Sequence, residues 1–453
     1  MLYRYSNQPQ KAIEIYNQIR ERHPYKNELY DGLVELYLEN KQFDKVQEVL
    51  DDIEKSIGKN DGIILTRYNI LLYQNQIDSA ISILKSHAQD YPSPRNLSIL
   101  ADYYASEQND SLAYELYSRS LSLDPTFIPA KFGLAEIYRI KGEYANYFTN
   151  IKSFISSEDV DPNMKKAYLE QMLSNRNFVQ LFIPQIDTLL QTLYETHPQD
   201  SSIAFMFALY SVQIQDDARA LDVLLNNLNN HPESIEAHRQ YLSLTHYLSF
   251  WEEMEIYSNR AIESFPKNSD FIQFRAISLF QQGKIDDAIK DFKSILRISK
   301  DSATIVNSLV TIGDLYYKQG NIKQAYKYYR KTIKKEPYHL PALNNYAYFL
   351  AQENRQLKRA YQMSKKTIEK EPTNYTYLDT YAWILYKMGN YQEAKKAIQK
   401  AIGNGGKESA DILDHYGDIL YALGEKEVAI IYWTQANKLD PSLNLEKKIN
   451  SKK

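Results

Sequence analysis

One arrangement of residues returns along this chain at a spacing of about 34 positions, and it leaves few folds open. Ile312, Gly313 and Tyr316 are followed by Ala325, Tyr329 and Pro337; Tyr416, Gly417 and Leu420 are followed by Ala429, Trp433 and Pro441 at the same offsets. Spacings of three and four residues fall on one face of a helix. The small residues therefore let two helices approach closely, while the proline ends the second helix and opens the next unit.

The same ladder runs along almost the whole chain. Pro24, Pro92, Pro125, Pro198, Pro232, Pro266, Pro337, Pro372 and Pro441 close units, with steps of 33, 34 and 34 from Pro92 to Pro125, Pro198 to Pro232 and Pro232 to Pro266. The small second-helix position holds Ala12, Ala80, Ala113, Ala220, Ala288, Ala325, Ala360, Ala394 and Ala429, with Val46 and Met254 standing in. A bulky side chain follows four residues on in most units, as at Tyr117, Leu224, Phe292, Tyr329 and Trp433.

In these residues the chain resembles the tetratricopeptide repeat family. The resemblance implies an all-α fold: a helix-pair solenoid, a right-handed superhelix of about twelve pairs after a half unit at the start. Residues 1–156 read as an N-terminal array with an incomplete first unit, and 201–441 as a C-terminal array. Residues 157–200 between them read as an irregular pair or joint. There a second helix expected from about Phe178 to Glu195 carries Pro184, which should kink or shorten it. From Ile402 to Ala410, Gly403, Gly405 and Gly406 replace the closing proline and suit a left-handed turn. Residues 442–453 read as a capping helix or a polar tail. Residues 10–24 read as a second helix without its first, which predicts that the natural chain begins earlier.

Composition narrows the function. With no cysteine, disulfides, thiolate metal sites and cysteine nucleophiles are excluded. No stretch approaches the ~18 apolar residues of a membrane span, and no secretory signal is visible. The net charge of −3 conceals an asymmetry. Residues 1–226 hold 21 Lys and Arg against 31 Asp and Glu, and residues 227–453 hold 33 against 26. Residues 318–400 carry 17 basic and 6 acidic side chains, many on second helices: Lys323, Lys327, Lys331, Lys334, Lys335, Lys365, Lys366, Lys370, Lys395, Lys396 and Lys400. These read first as the solvated face of amphipathic helices and second as a surface for an anionic partner.

The tetratricopeptide resemblance further implies that first helices line a concave groove, contacting partners through the second, fifth, ninth and twelfth positions of each unit. Carried onto this chain, those positions hold Val310, Asp314 and Tyr317; Asn344, Tyr348 and Ala351; Asp379, Trp383 and Tyr386; Asp411, Asp414, Asp418 and Tyr421. The expected groove is acidic and aromatic. It would repel the C-terminal carboxylate that family members with Lys, Arg and Asn at these places clamp. A basic or polar extended segment, stacked on Trp383 and Tyr386 and paired to the aspartates, fits better. The alternative for Trp383 and the tyrosines is simple burial between helices.

Other signals carry less. His238 and His246 lie about 12 Å apart along one helix, too far to share a metal ion. Gly403-Asn404-Gly405-Gly406-Lys407 lacks the spacing, the following Ser or Thr and the strand of a phosphate loop. Asp78-Ser79-Ala80, Asp110-Ser111-Leu112, Asp187-Thr188-Leu189 and Asp301-Ser302-Ala303 are similar to a bacterial O-glycan acceptor, but suit helix starts equally well.

The reading is a non-enzymatic scaffold without cofactor or metal that binds a protein segment of basic and apolar character. Tyr377-Leu378-Asp379-Thr380-Tyr381-Ala382-Trp383 and His415-Tyr416-Gly417-Asp418 resemble closing units of bacterial envelope proteins, which points to the periplasm or outer membrane. The alternatives are a nucleic-acid-binding or regulatory protein using the basic second helices, and the helical arm of an enzyme whose catalytic domain lies upstream.

Overall fold

The computed structural model describes residues 9–22 and 27–450. Pro24, with which the first unit was expected to close, lies outside them, as do the last three residues of the tail. The chain divides into two compact units, residues 1–210 and 211–453. The first contains α1 (Pro9–Arg22), α2 (Asn27–Glu39), α3 (Phe43–Ile57), α4 (Asp61–Tyr73), α5 (Ile77–Asp90) and α6 (Pro94–Ser106). It continues with α7 (Asp110–Leu123), α8 (Ile128–Lys141), α9 (Tyr144–Ser156), α10 (Pro162–Ser174), α11 (Arg176–Leu181) and α12 (Ile183–Thr196). The division falls within α13 (Ser201–Gln213). The second unit follows with α14 (Asp217–Asn230), α15 (Ile235–Tyr247), α16 (Trp251–Ser264), α17 (Ser269–Gln281), α18 (Ile285–Ile298) and α19 (Ser302–Lys318). Then come α20 (Ile322–Lys335), α21 (Leu340–Gln352), α22 (Leu357–Lys370), α23 (Tyr375–Lys387), α24 (Tyr391–Gly403), α25 (Ala410–Ala422), α26 (Lys426–Leu439) and α27 (Glu446–Ile449). No strand occurs among the described residues. The fold is an all-α helix-pair solenoid of the tetratricopeptide type.

Side chains set the helix starts. Asn60, Asn109, Asp216 and Asn321 each accept a hydrogen bond from a backbone N–H of the first turn, satisfying a donor that has no partner within the helix. Asp301 does the same at α19, so the Asp301-Ser302 acceptor-like pair is a helix cap here.

The first helix of a pair ends by a shared device. Lys41, Asn75, Gln108 and Gly142 in the first unit take left-handed backbone, as do Gln215, Ser249, Gly283, Gly320, Asn354, Gly389 and Gly424 in the second. The next N–H then reaches back five residues, Asn109 to the Tyr104 carbonyl at 2.8 Å and Asn390 to that of Leu385 at 2.9 Å. This is the Schellman closure, and it turns the chain into the second helix after two or three residues.

The small-residue ladder lies where the helices touch. Ala80, Ala113, Ala220, Ala288, Ala325, Ala360, Ala394, Ala429, Val46 and Met254 are fully buried. A Cβ added at Gly313 would stand 2.8 Å from the Tyr329 ring, and one at Gly417 2.4 Å from that of Trp433. The polar tip of the same aromatic then binds the aspartate next to the small residue. The Trp433 Nε1 donates to Asp418 at 3.1 Å, Tyr117 to Asp102 at 2.5 Å, and Tyr329 to Asp314. One side chain thus fixes both the separation and the rotation of a pair.

Between residues 157 and 200 the pattern changes. The helix expected over 178–195 is two helices broken at Phe182, with Pro184 in the first turn of α12. Asn175, between α10 and α11, has φ −90 rather than the left-handed value. Phe178 and Phe182 pack on Tyr144 and Phe148 of α9, with ring centroids 4.6 to 6.1 Å apart. Lys165 ties the ends of this segment: its buried ammonium donates to the Ser157 carbonyl at 2.5 Å and meets His197 Nε2 at 2.8 Å. Burial pushes the lysine down from its ordinary value.

Two expectations about chain ends resolve locally. After α24, Gly405 takes φ 112 and a short 3-10 turn, Gly406–Glu408, leads to α25. Beyond α26, a turn at Pro441–Leu443 and the single helical turn of α27 fold back on the last pair and bury Leu445.

Replacing Gly417 by Ala should destabilise the chain by about 1–3 kcal/mol, the cost of overpacking a close contact. Urea melts measure it, and an unchanged midpoint would contradict the close approach to Trp433.

Candidate functional site

The first helices α21, α23 and α25 lie side by side, α23 packing on both neighbours. They carry most of the expected groove residues, and the structure sorts these into three kinds.

Some are occupied by the fold itself. Asp314 is half-buried and accepts from Tyr329 and, at 3.3 Å, from Asn345 of the next pair. Burial holds its carboxyl above the usual range. Tyr317 lies flat on Phe349, ring centroids 3.6 Å apart. Val310 and Ala351 are buried.

A second set is buried but polar. Asp379 is 7 % exposed and 2.9 Å from His415 Nδ1, one repeat further along. Trp383, 5 % exposed, is sandwiched between His415 at 4.0 Å and Tyr386 at 4.9 Å. The simple burial weighed for Trp383 is what the structure shows, and Asp379 is likewise not offered to solvent. Among the described residues, Trp383 Nε1 and Asn344 Oδ1 are buried without a hydrogen-bond partner. In the sequence His415 stands only as part of the His415-Tyr416-Gly417-Asp418 likeness, because it matches no metal or catalytic pattern. Its 36-residue step from Asp379 was the available signal.

The third set is accessible. Asp411 and Tyr421 are exposed, and Tyr348, Tyr386, Asp414 and Asp418 are half-buried. Asp414 and Asp418 stand one helical turn apart on α25 and share one cation, the Lys448 ammonium of α27. It lies 2.6 Å from Asp414 and 2.7 Å from Asp418, and 5.7 Å from the Trp433 ring centre. Burial raises the Asp414 carboxyl. Burial pulls the Lys448 ammonium down, but its two carboxylate partners outweigh that and leave it above its ordinary value. The predicted acidic and aromatic face is therefore present in part, over a buried Asp379–His415–Trp383 layer and with an amine already seated on its acid pair.

The basic second helices carry a feature of their own. Their lysines do meet aromatic rings: Lys331 covers Tyr328 at 4.9 Å, and Lys366 and Lys370 flank the exposed Tyr338 at 5.4 and 6.0 Å. Elsewhere, an open cleft of about 440 Å³ lies beside α8 to α11, lined by Arg139, Tyr144, Tyr168 and Phe178. Among the described residues no group of three or more His, Asp or Glu is placed to hold a metal ion. Nor is any helix long and apolar enough to cross a membrane.

His415 sets a pH dependence. Burial pushes its imidazole down, but the carboxylates of Asp379, Asp414 and Asp418 outweigh this and hold the proton above the ordinary histidine value. The stabilisation is complete below the unfolded value of about 6.5 and is lost as pH rises through the higher folded value. Urea midpoints should fall as the pH is raised above about 6.5, and His415→Asn should flatten that slope. An equal slope in the variant would assign the dependence elsewhere.

Two tetratricopeptide repeat family models match, over residues 308–337 and 382–442. The chain is 24% identical over 295 residues to the BBSome complex member BBS4 of Bos taurus, covering 63% of this chain and 54% of that protein. It thus spans about half the length of that relative. Among solved structures, yeast Tom70 aligns over 87% of this chain and 95% of its own, at 14% identity and a TM-score of 0.39. The structure described as the APC/C hetero-tetramer Cut9-Hcn1 aligns over 97% and 92%, at 13% identity and a TM-score of 0.42. None of these likenesses identifies a partner or an activity. Together with the helix pairs and their small-residue contacts, the matched segments mean that this chain carries tetratricopeptide repeats.

Proposed function

We propose that the second unit is a non-catalytic scaffold that holds a segment of a partner protein against the face of α21, α23 and α25. A repeat fold of this kind fits protein interaction in general. The observation that carries the particular face is the acid pair Asp414 and Asp418, poised on one helix beside Tyr386 and Tyr421 and neutralised by an amine. Two carboxylates one turn apart repel each other, so the pair favours any ligand that brings a cation. Tyrosines beside it add stacking surface for an apolar or cationic neighbour. The bacterial envelope setting is also a proposal, supported by the likeness of residues 377–383 and 415–418 to closing units of such proteins.

The rival reading uses the Lys–Tyr pairs of the second helices for an anionic partner, and one experiment separates the two. The intact chain captures its partner from an extract of its own cells, and binding isotherms follow for variants. Asp414→Asn with Asp418→Asn should weaken binding by about 1.5–3 kcal/mol, the usual worth of hydrogen bonds to charged groups, with a larger loss at low salt. Tyr386→Ala should cost about 1–2 kcal/mol. Trp383→Ala is a poor probe, since removing a buried ring costs about 3–5 kcal/mol of stability. If these changes leave the partner bound while neutralising Lys331, Lys334 and Lys335 releases it, the basic face is the site.

A further inference from the structure

The first unliganded occupant of the acid pair is the chain itself. α27 is a single turn, Glu446–Ile449, too short to persist as a helix without outside support. What supports it is a small set of contacts. Leu445 is buried in the core of the last pairs, with Leu443 and Ile449 partly buried against the same core. Leu445 N–H donates to Asn437 at 3.1 Å, and Lys448 bridges Asp414 and Asp418. Asn444, which leads into the turn, takes left-handed backbone at φ 50, a conformation asparagine adopts more readily than most L-residues.

We infer that the partner this face accepts presents an apolar residue and, three positions on, a lysine on one helical turn, and that Leu445 and Lys448 hold that place in cis until such a segment displaces them. The inference rests on the proposed use of this face and specifies both its ligand and its regulation.

The chemistry of the pair motivates it. Lys448 is 35 % exposed, whereas the Asp414 and Asp418 side chains are 18 % and 16 % exposed. Asp418 also accepts from Trp433, so it cannot swing away to water without giving up a packing contact. The carboxylates are partly desolvated, and the amine is the more exposed partner. Losing it without replacement leaves two like charges facing each other, so release of the tail is matched by capture of another amine. A spacing of three residues places the apolar and basic groups of the incoming segment on one face, as Leu445 and Lys448 are. Because the tail is tethered, its effective concentration is in the millimolar range, and it sets the threshold that a partner must exceed.

The test uses the full chain and a labelled peptide copying residues 440–453. Wild-type protein should bind the peptide weakly, because its own tail is seated. A variant with Leu445→Asp and Lys448→Ala, which releases the tail, should bind it about tenfold more tightly or better. Adding Asp414→Asn and Asp418→Asn, or replacing the peptide's own lysine at position 448 by alanine, should abolish that gain. Equal affinity for wild type and the released variant, or a gain that survives loss of both aspartates, overturns the inference. Should the double variant lose its helical circular dichroism, Lys448→Ala alone serves. Hydrogen exchange of residues 443–449 then reports release directly, and unchanged protection counts against the proposal. The captured partner separates this inference from the reading beneath it. A partner weakened by Asp414→Asn and Asp418→Asn but indifferent to Lys448→Ala keeps the face and removes the competition. A partner indifferent to all three, with the peptide still docking in trans, removes the face as the partner's site.

Discussion

An aromatic ring lying where a Cβ would otherwise stand is the contact on which the repeat depends. At Gly417 the occupant is Trp433, and at Gly313 it is Tyr329. The glycine fixes how closely two helices approach, and the ring's polar tip, bonded to the next aspartate, fixes how they are rotated. Left-handed closure of the first helix brings the second back at the right point. Nothing in this arrangement requires a central core, because each pair buries its apolar stripe against its neighbours.

The same contact shapes the candidate site. Asp418 is positioned by Trp433 through the indole Nε1, and Asp414 lies one turn before it on the same helix. Packing therefore delivers a fixed pair of carboxylates to the face of α25, and electrostatics then requires a cation beside them. Lys448 provides it after a turn that owes its position to Leu445. The acid pair is a consequence of how the repeat packs before it is a binding feature.

How much of this was legible depended on whether a residue's neighbour is one repeat away or set by tertiary folding. The alanine ladder was legible because it recurs, and those alanines are fully buried. The break at Pro184 was legible from the chemistry of proline alone. The left-handed turns were not, since Gln108, Gln215 and Ser249 occupy positions that glycine fills elsewhere; closure of the pair overrides local preference there. The partners of the aspartates were not legible. The His415 proton and the Lys448 ammonium act across 36 and 34 residues, and only the fold brings them to Asp379 and Asp414. Burial of Trp383 was one of two readings and stayed undecided, because helical spacing cannot tell a ring facing a groove from one packed against the next helix.

In the folded chain Lys448 and the acid pair act as one energetic unit. A double-mutant cycle in urea tests it directly, combining Lys448→Ala with Asp414→Asn and Asp418→Asn. Coupling of about 1 kcal/mol or more between the lysine and the aspartates, shrinking as salt is added, is what this account predicts. Additive losses, with no coupling at low salt, would contradict it and reduce the contact to a chance approach of surface charges.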